Sequence, residues 1–89
     1  MISYDPFRAT KAEKRISTYM LKNKYRISNS VLSRIRNDEP ISLRMVNELC
    51  MIFECDISDI ARYVPDEEER EEYLEHLERK RQEREQQGE

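Results

Sequence analysis

The chain has 89 residues, with 16 Lys and Arg against 19 Asp and Glu, one His, and a formal net charge of −3. That length allows one small domain with an appendage, and a core drawn from about 60 residues buries only ~60% of the surface its unfolded chain exposes. No apolar run is long enough to cross a bilayer and no charged-then-apolar leader is seen, so a cytoplasmic protein with no membrane partner is expected.

Cys50 and Cys55 are five apart, and the one histidine, His76, lies far along the chain. These spacings match no zinc pattern, and the thiols read as small apolar residues in a reducing compartment. No metal and no cofactor is expected. Nor is an enzyme: no nucleophile pairs with a base, and the single glycine, Gly88, excludes a phosphate-cradling glycine loop.

The net charge conceals an asymmetry. Between Arg8 and Arg44 stand ten basic and three acidic residues, a net of +7, whereas Pro65 to the end holds five basic and eleven acidic ones, a net of −6. A basic half joined to an acidic arm is the pattern of a polyanion binder with a charged appendage.

In chain order, Asp5-Pro6 reads as a helix start, with Asp5 as cap and Pro6 in the first turn of a helix running to about Lys14. Its apolar stripe is thin: Phe7, Ala9, Ala12, then Ile16. Ser17 caps a second helix, Thr18 to Tyr25, with Leu21 and Tyr25 inward. Arg26-Ile27 makes a turn, and Ser28 caps a third helix, Asn29 to Arg36, whose buried pair is Leu32 and Ile35. Pro40 keeps the next loop non-helical. Ser42 caps a fourth helix, Leu43 to Phe53, where Val46, Leu49, Cys50 and Phe53 give the strongest amphipathic signal. Asp56 caps a short fifth helix, about Ile57 to Arg62, with Asp59 as its capping-box partner and Ile57 and Ile60 closing the core. No strand is convincing, although Met1 to Tyr4 suits a short extended arm.

After Pro65 the composition changes abruptly. Residues 66–87 are almost all Glu, Arg, Lys and Gln, with high helix propensity and acids gathered near the start. Tyr73, Leu74 and Leu77 form one apolar patch rather than a heptad run. Residues 1–65 are thus expected to form the domain and 66–89 a charged helical tail.

The third helix carries the functional signal. One face is apolar and docks; the other holds small hydrogen-bonding residues and arginine, a shape suited to a DNA major groove. From Ile16 to Val64 the chain resembles the Cro/phage-repressor (Xre-like) helix-turn-helix domains, in their small single-domain variant. The matching residues are Ile16-Ser17-Thr18, Leu21, the run from Ile27 to Ile35, Ile41-Ser42-Leu43, Leu49-Cys50, Cys55-Asp56-Ile57, Asp59-Ile60 and Tyr63 to Asp66. The resemblance implies an all-α, five-helix lambda-repressor-like domain and a sequence-specific DNA-binding transcriptional regulator, a repressor, acting on double-stranded DNA. It places Asn29, Ser30, Ser33 and Arg34 at base edges, with Asn29 suited to adenine and Arg34 to guanine O6 and N7. It places Ser17, Thr18, Lys24, Arg26, Arg36 and Asn37 at phosphates.

Three positions depart from the family pattern. Arg26 stands where a glycine is usual in the turn, at a cost on the order of 1 kcal/mol if φ is positive. Lys11 and Lys22 stand where aliphatic residues are usual and are expected to lay their stems over the core. With the acidic tail, these charges raise an alternative: a helix-turn-helix fold used as a protein-interaction module, or a regulator whose tail mimics DNA. A homodimer is left open, with the fifth helix and the Tyr73-Leu74-Leu77 patch as candidate surfaces, and the tail is a candidate site for a protein partner.

Overall fold

The computed structural model describes residues 1–87, so the last two residues of the expected tail lie outside it. The elements are β1 (Ile2–Ser3), α1 (Asp5–Glu13), α2 (Thr18–Asn23), α3 (Asn29–Arg36), α4 (Leu43–Phe53), a 3₁₀ turn (Ile57–Asp59), β2 (Arg62–Tyr63) and α5 (Glu67–Gln87). The fold is all-α apart from one antiparallel ribbon, in which Ile2 pairs with Tyr63 and Ser3 with Arg62.

Three serines start three helices. The hydroxyls of Ser17, Ser28 and Ser42 accept hydrogen bonds from the N–H groups of Met20, Val31 and Met45 at 3.1, 3.2 and 3.0 Å. Each satisfies an otherwise orphaned amide, a gain of about 1 kcal/mol. α1 begins differently from the sequence expectation. Asp5 is already helical, Tyr4 holds the cap position without a side-chain cap bond, and Ser3 Oγ accepts the Asp5 N–H at 3.2 Å. Asp5 instead binds Arg8, Oδ1 to Nη1 at 2.8 Å.

Helix ends are made without glycine. Arg15, Arg26, Asp38 and Glu54 all adopt left-handed backbone, with φ of 56°, 57°, 53° and 51°. Around three of them the chain closes the same way, by Ile16 N–H to Lys11 O (3.1 Å), Glu39 N–H to Arg34 O (2.8 Å) and Cys55 N–H to Cys50 O (3.1 Å). These are the long bonds that satisfy the last carbonyls of a helix, and they require the left-handed residue between.

The core is small and continuous. Leu21, Leu49, Phe53 and Ile60 are at most 1% exposed, and Tyr4, Phe7, Ile27, Leu32, Ile35 and Val46 complete it. Phe7 and Phe53 meet edge to face at 5.6 Å, joining α1 to α4. The inward face of α1 is Phe7 and Thr10; Ala9 and Ala12 are exposed. Thr10 is buried because its hydroxyl donates to Asp59 O at 2.8 Å.

That bond helps to explain a second departure. The expected fifth helix is a single 3₁₀ turn, because Asp59 O accepts from Thr10 and Ile60 O accepts from Phe7 N–H at 3.2 Å. With those carbonyls committed to α1, the chain turns extended and Arg62–Tyr63 pairs with Ile2–Ser3. The capping box of Asp56 and Asp59 is present, and Ile60 reaches the core, but Ile57 is 58% exposed rather than buried. α5 follows from an Asp66 cap, whose Oδ1 accepts Glu69 N–H at 3.2 Å. Every side chain described from Glu67 to Arg84 is exposed, including Tyr73, Leu74 and Leu77. No helix among the described residues is long and apolar enough to cross a membrane.

Candidate nucleic-acid interface

α2 and α3 are joined by the short turn through Arg26 and Ile27, pinned by Ile27 N–H to Leu21 O at 2.8 Å. Leu32 and Ile35 hold α3 on the core with 7% and 2% exposure. At 100° per residue, Ser30, Ser33, Arg34 and Asn37 then stand on the side opposite that pair, with Asn29 and Arg36 at its margins. All six are exposed. The four residues expected at base edges therefore share one open face, in which the two serines leave room between Asn29 and Arg34.

The residues expected at phosphates divide into groups. Thr18 of α2 and Arg36 of α3 line one crevice of about 150 Å³ with Arg8 and Lys11 of α1, over a floor of Phe7, Leu21, Leu32 and Ile35. Ser17 lines an adjoining groove with Lys11 and Arg15. Its hydroxyl is already committed to capping α2, and the Asn37 amide donates to Ser33 O at 3.0 Å, closing the end of α3. Lys24 lies over the Tyr25 ring, Nζ 5.2 Å from the centroid. Arg26 is exposed at its left-handed position. Of the two displaced lysines, Lys11 is half-buried and Lys22 points into solvent.

Sequence reading did not single out Lys11 and Arg15 as neighbours of Ser17 and Thr18. Arg15 lies past the end of α1 at a left-handed residue, where helical spacing gives no signal, and the thin apolar stripe gave the wrong rotation for that helix. Arg8 was counted only as one cation among ten. In the structure its guanidinium reaches across to the C-terminal end of α3, donating from Nη2 to Ile35 O and Arg36 O, each at 3.2 Å.

Away from this face, burial raises the pKa of the Tyr4 hydroxyl, which donates to Glu39 O at 2.7 Å. Burial also pushes the Cys55 thiol up to about 11, with Cys50 beside it. A thiol held protonated is a poor nucleophile and a poor metal ligand. No group of three or more His, Cys, Asp or Glu suited to a metal occurs among the described residues.

Two short helices at a tight turn, the second docked by one face and open on the other beside a cationic crevice, define a helix-turn-helix DNA-binding domain. Residues 10–66 match the Cro/C1-type HTH DNA-binding domain, and the chain belongs to that family. No curated protein matches the sequence. The fold is similar to that of the transcriptional regulator VanUg, known from a crystal structure. The TM-score is 0.67 at 22% identity, covering 73% of this chain and 87% of that one.

Proposed function

We propose that this protein is a sequence-specific transcriptional regulator, a repressor of the cytoplasm, that reads a DNA major groove with α3. Residues 1–65 are the binding unit and 66–89 an appended charged arm. Asn29, Ser30, Ser33 and Arg34 meet base edges, Arg34 suiting guanine and Asn29 adenine. Ser17, Thr18, Lys24, Arg26, Arg36 and Asn37 lie within reach of phosphates, the Ser17 hydroxyl and the Asn37 amide being groups that also close helix ends. The observation that carries this reading is the open face of α3, where Arg34 is exposed and forms no ion pair among the described residues. Membership of the Cro/C1-type family and the likeness to VanUg, a transcriptional regulator, support it.

The test is a titration of the full chain against a duplex enriched from a random library and against its scrambled form, at two salt concentrations. Equal affinity for both duplexes sinks sequence specificity, and no binding at low salt sinks DNA binding. Arg34→Ala should cost about 1–3 kcal/mol on the enriched duplex and relax one base position, whereas Lys24→Ala should weaken both duplexes alike.

A second reading rests on α5, whose acidic first half and Tyr73-Leu74-Leu77 patch are exposed. In it the arm competes with DNA for the basic face, or holds a protein partner or a second copy. Changing Glu67, Glu68, Glu69, Glu71 and Glu72 to Gln in the full chain separates these. Competition predicts a rise in DNA affinity, and an unchanged affinity removes it.

A further inference from the structure

We infer that Arg8 is a positioning residue for DNA reading: its guanidinium clamps the C-terminal end of α3 and sets the angle at which the Asn29–Arg34 face is presented. This rests on the base-reading role proposed for that face.

The geometry is a closed set of contacts. Nη1 donates to Asp5 Oδ1 at 2.8 Å, within α1. Nη2 donates to Ile35 O and Arg36 O at 3.2 Å and lies 3.5 Å from Asp38 Oδ1. The last carbonyls of a helix lack intrahelical donors and carry its negative end, so a cation there is doubly suited. Asp38 Oδ1 also accepts Tyr4 N–H at 3.1 Å, and the Tyr4 hydroxyl donates to Glu39 O at 2.7 Å. The N-terminal segment therefore grips Asp38 and Glu39 after α3 as well as the last turn of the helix.

Only an arginine makes this grip. Its planar fork offers five N–H donors in fixed directions, whereas lysine is a point charge on a flexible stem. The left-handed backbone at Asp38 belongs to the same device. Aspartate tolerates that region better than most residues, and a glycine there would delete the carboxylate that two donors share.

The consequence for recognition is mechanical. α3 is about 12 Å long at 1.5 Å per residue. A pivot of its free end by a few degrees displaces its side chains by roughly 0.5–1 Å, the scale on which a bidentate contact is lost. Phosphate contacts, made by long flexible cations, tolerate such a shift. The two carboxylates around Arg8 outnumber its own charge, so it adds little to the attraction for a polyanion.

The experiment compares wild-type, Arg8→Gln and Arg8→Lys, as full chains, on the library-enriched duplex and its scrambled form across a salt series, well below each melting temperature. The expected result is a specificity ratio lowered about tenfold in Arg8→Gln, with scrambled-DNA affinity and salt slope unchanged. Arg8→Lys should fall between. A slope reduced by about one, with equal loss on both duplexes, makes Arg8 a phosphate contact and overturns the inference. So does an unchanged ratio. Should Arg8→Gln melt below the assay temperature, Arg8→Lys carries the comparison; loss of fold in both also overturns it, since Arg8 would then be a stability residue. A wild-type ratio near one instead removes the base-reading role itself.

Discussion

Replacing Glu54 with glycine should raise the melting temperature of this protein. Glu54 ends α4 at φ 51°, ψ 55°, is exposed, and makes no side-chain hydrogen bond or ion pair among the described residues. A Cβ in that region costs roughly 1–2 kcal/mol. Glycine removes that cost but loses about 0.5–1 kcal/mol more backbone entropy on folding. The balance is a gain of about 0.5–1 kcal/mol, which in a domain of this size is roughly 3–6 °C. The assay is thermal unfolding of wild-type, Glu54→Gly and Glu54→Ala. The alanine variant keeps the Cβ and should melt close to wild-type. A glycine variant melting at or below wild-type would mean that the backbone at 54 carries no strain for glycine to release. Arg26→Gly should stabilise similarly while weakening DNA binding on all sequences. Asp38→Gly should not stabilise at all, since the Asp38 carboxylate holds Tyr4 N–H and Arg8.

Three further outcomes follow from the packing. Phe53→Ala, which removes a ring 1% exposed and its edge contact with Phe7, should cost about 3–5 kcal/mol and leave little folded protein, read by circular dichroism at ambient temperature. Ser28→Ala should cost about 1 kcal/mol by urea titration, because Val31 N–H loses its acceptor. Tyr4→Phe should cost about 1 kcal/mol near neutral pH through the lost bond to Glu39 O. The raised Tyr4 pKa gives that difference a sign with pH. Stability from the neutral phenol is complete below its unfolded pKa of about 10 and is lost as pH rises through the folded value. The gap between wild-type and Tyr4→Phe should therefore hold up to about pH 10 and narrow above it; a constant gap would contradict the burial argument.

Local rules made much of the domain legible. α3 and α4 have the bounds that their serine caps and apolar spacing predict, because both helices end where capping and packing agree. α1 was rotated in the sequence reading because two exposed alanines look apolar, while Thr10 is buried by a hydroxyl bond to a residue 49 positions away. The fifth helix and the strand Arg62–Tyr63 escaped for the same reason, whereas the extended arm expected over Met1 to Tyr4 holds the other strand. Whether Asp59 O and Ile60 O stay in a helical ladder is decided by Thr10 and Phe7, and no window of sequence contains both ends of that choice. At the interface, the spacing of Asn29, Ser30, Ser33 and Arg34 was enough to put them on one face. The grip of Arg8 on α3 was not legible, since its acceptors are main-chain carbonyls, which leave no mark on residue identity.

The same distinction bears on how strongly salt should act. Counting residues, ten cations between Arg8 and Arg44 suggest ten phosphate neutralisations and a salt slope near −9. The structure removes three from that count. Arg8 is engaged by Asp5, Asp38 and two carbonyls. Lys14 lies near Cys55, at the far end of α4. Arg44 has Glu48 at 4.0 Å, one turn on. Lys11, Arg15, Lys22, Lys24, Arg26, Arg34 and Arg36 remain, set on α1, α2, α3 and the two turns that join them. Seven cations bound the slope per chain at about −6. A fluorescence titration on scrambled duplex from low to moderate salt measures it directly. A slope steeper than about −8 would mean that the three excluded cations also reach phosphates and that charge is not sorted in space this way.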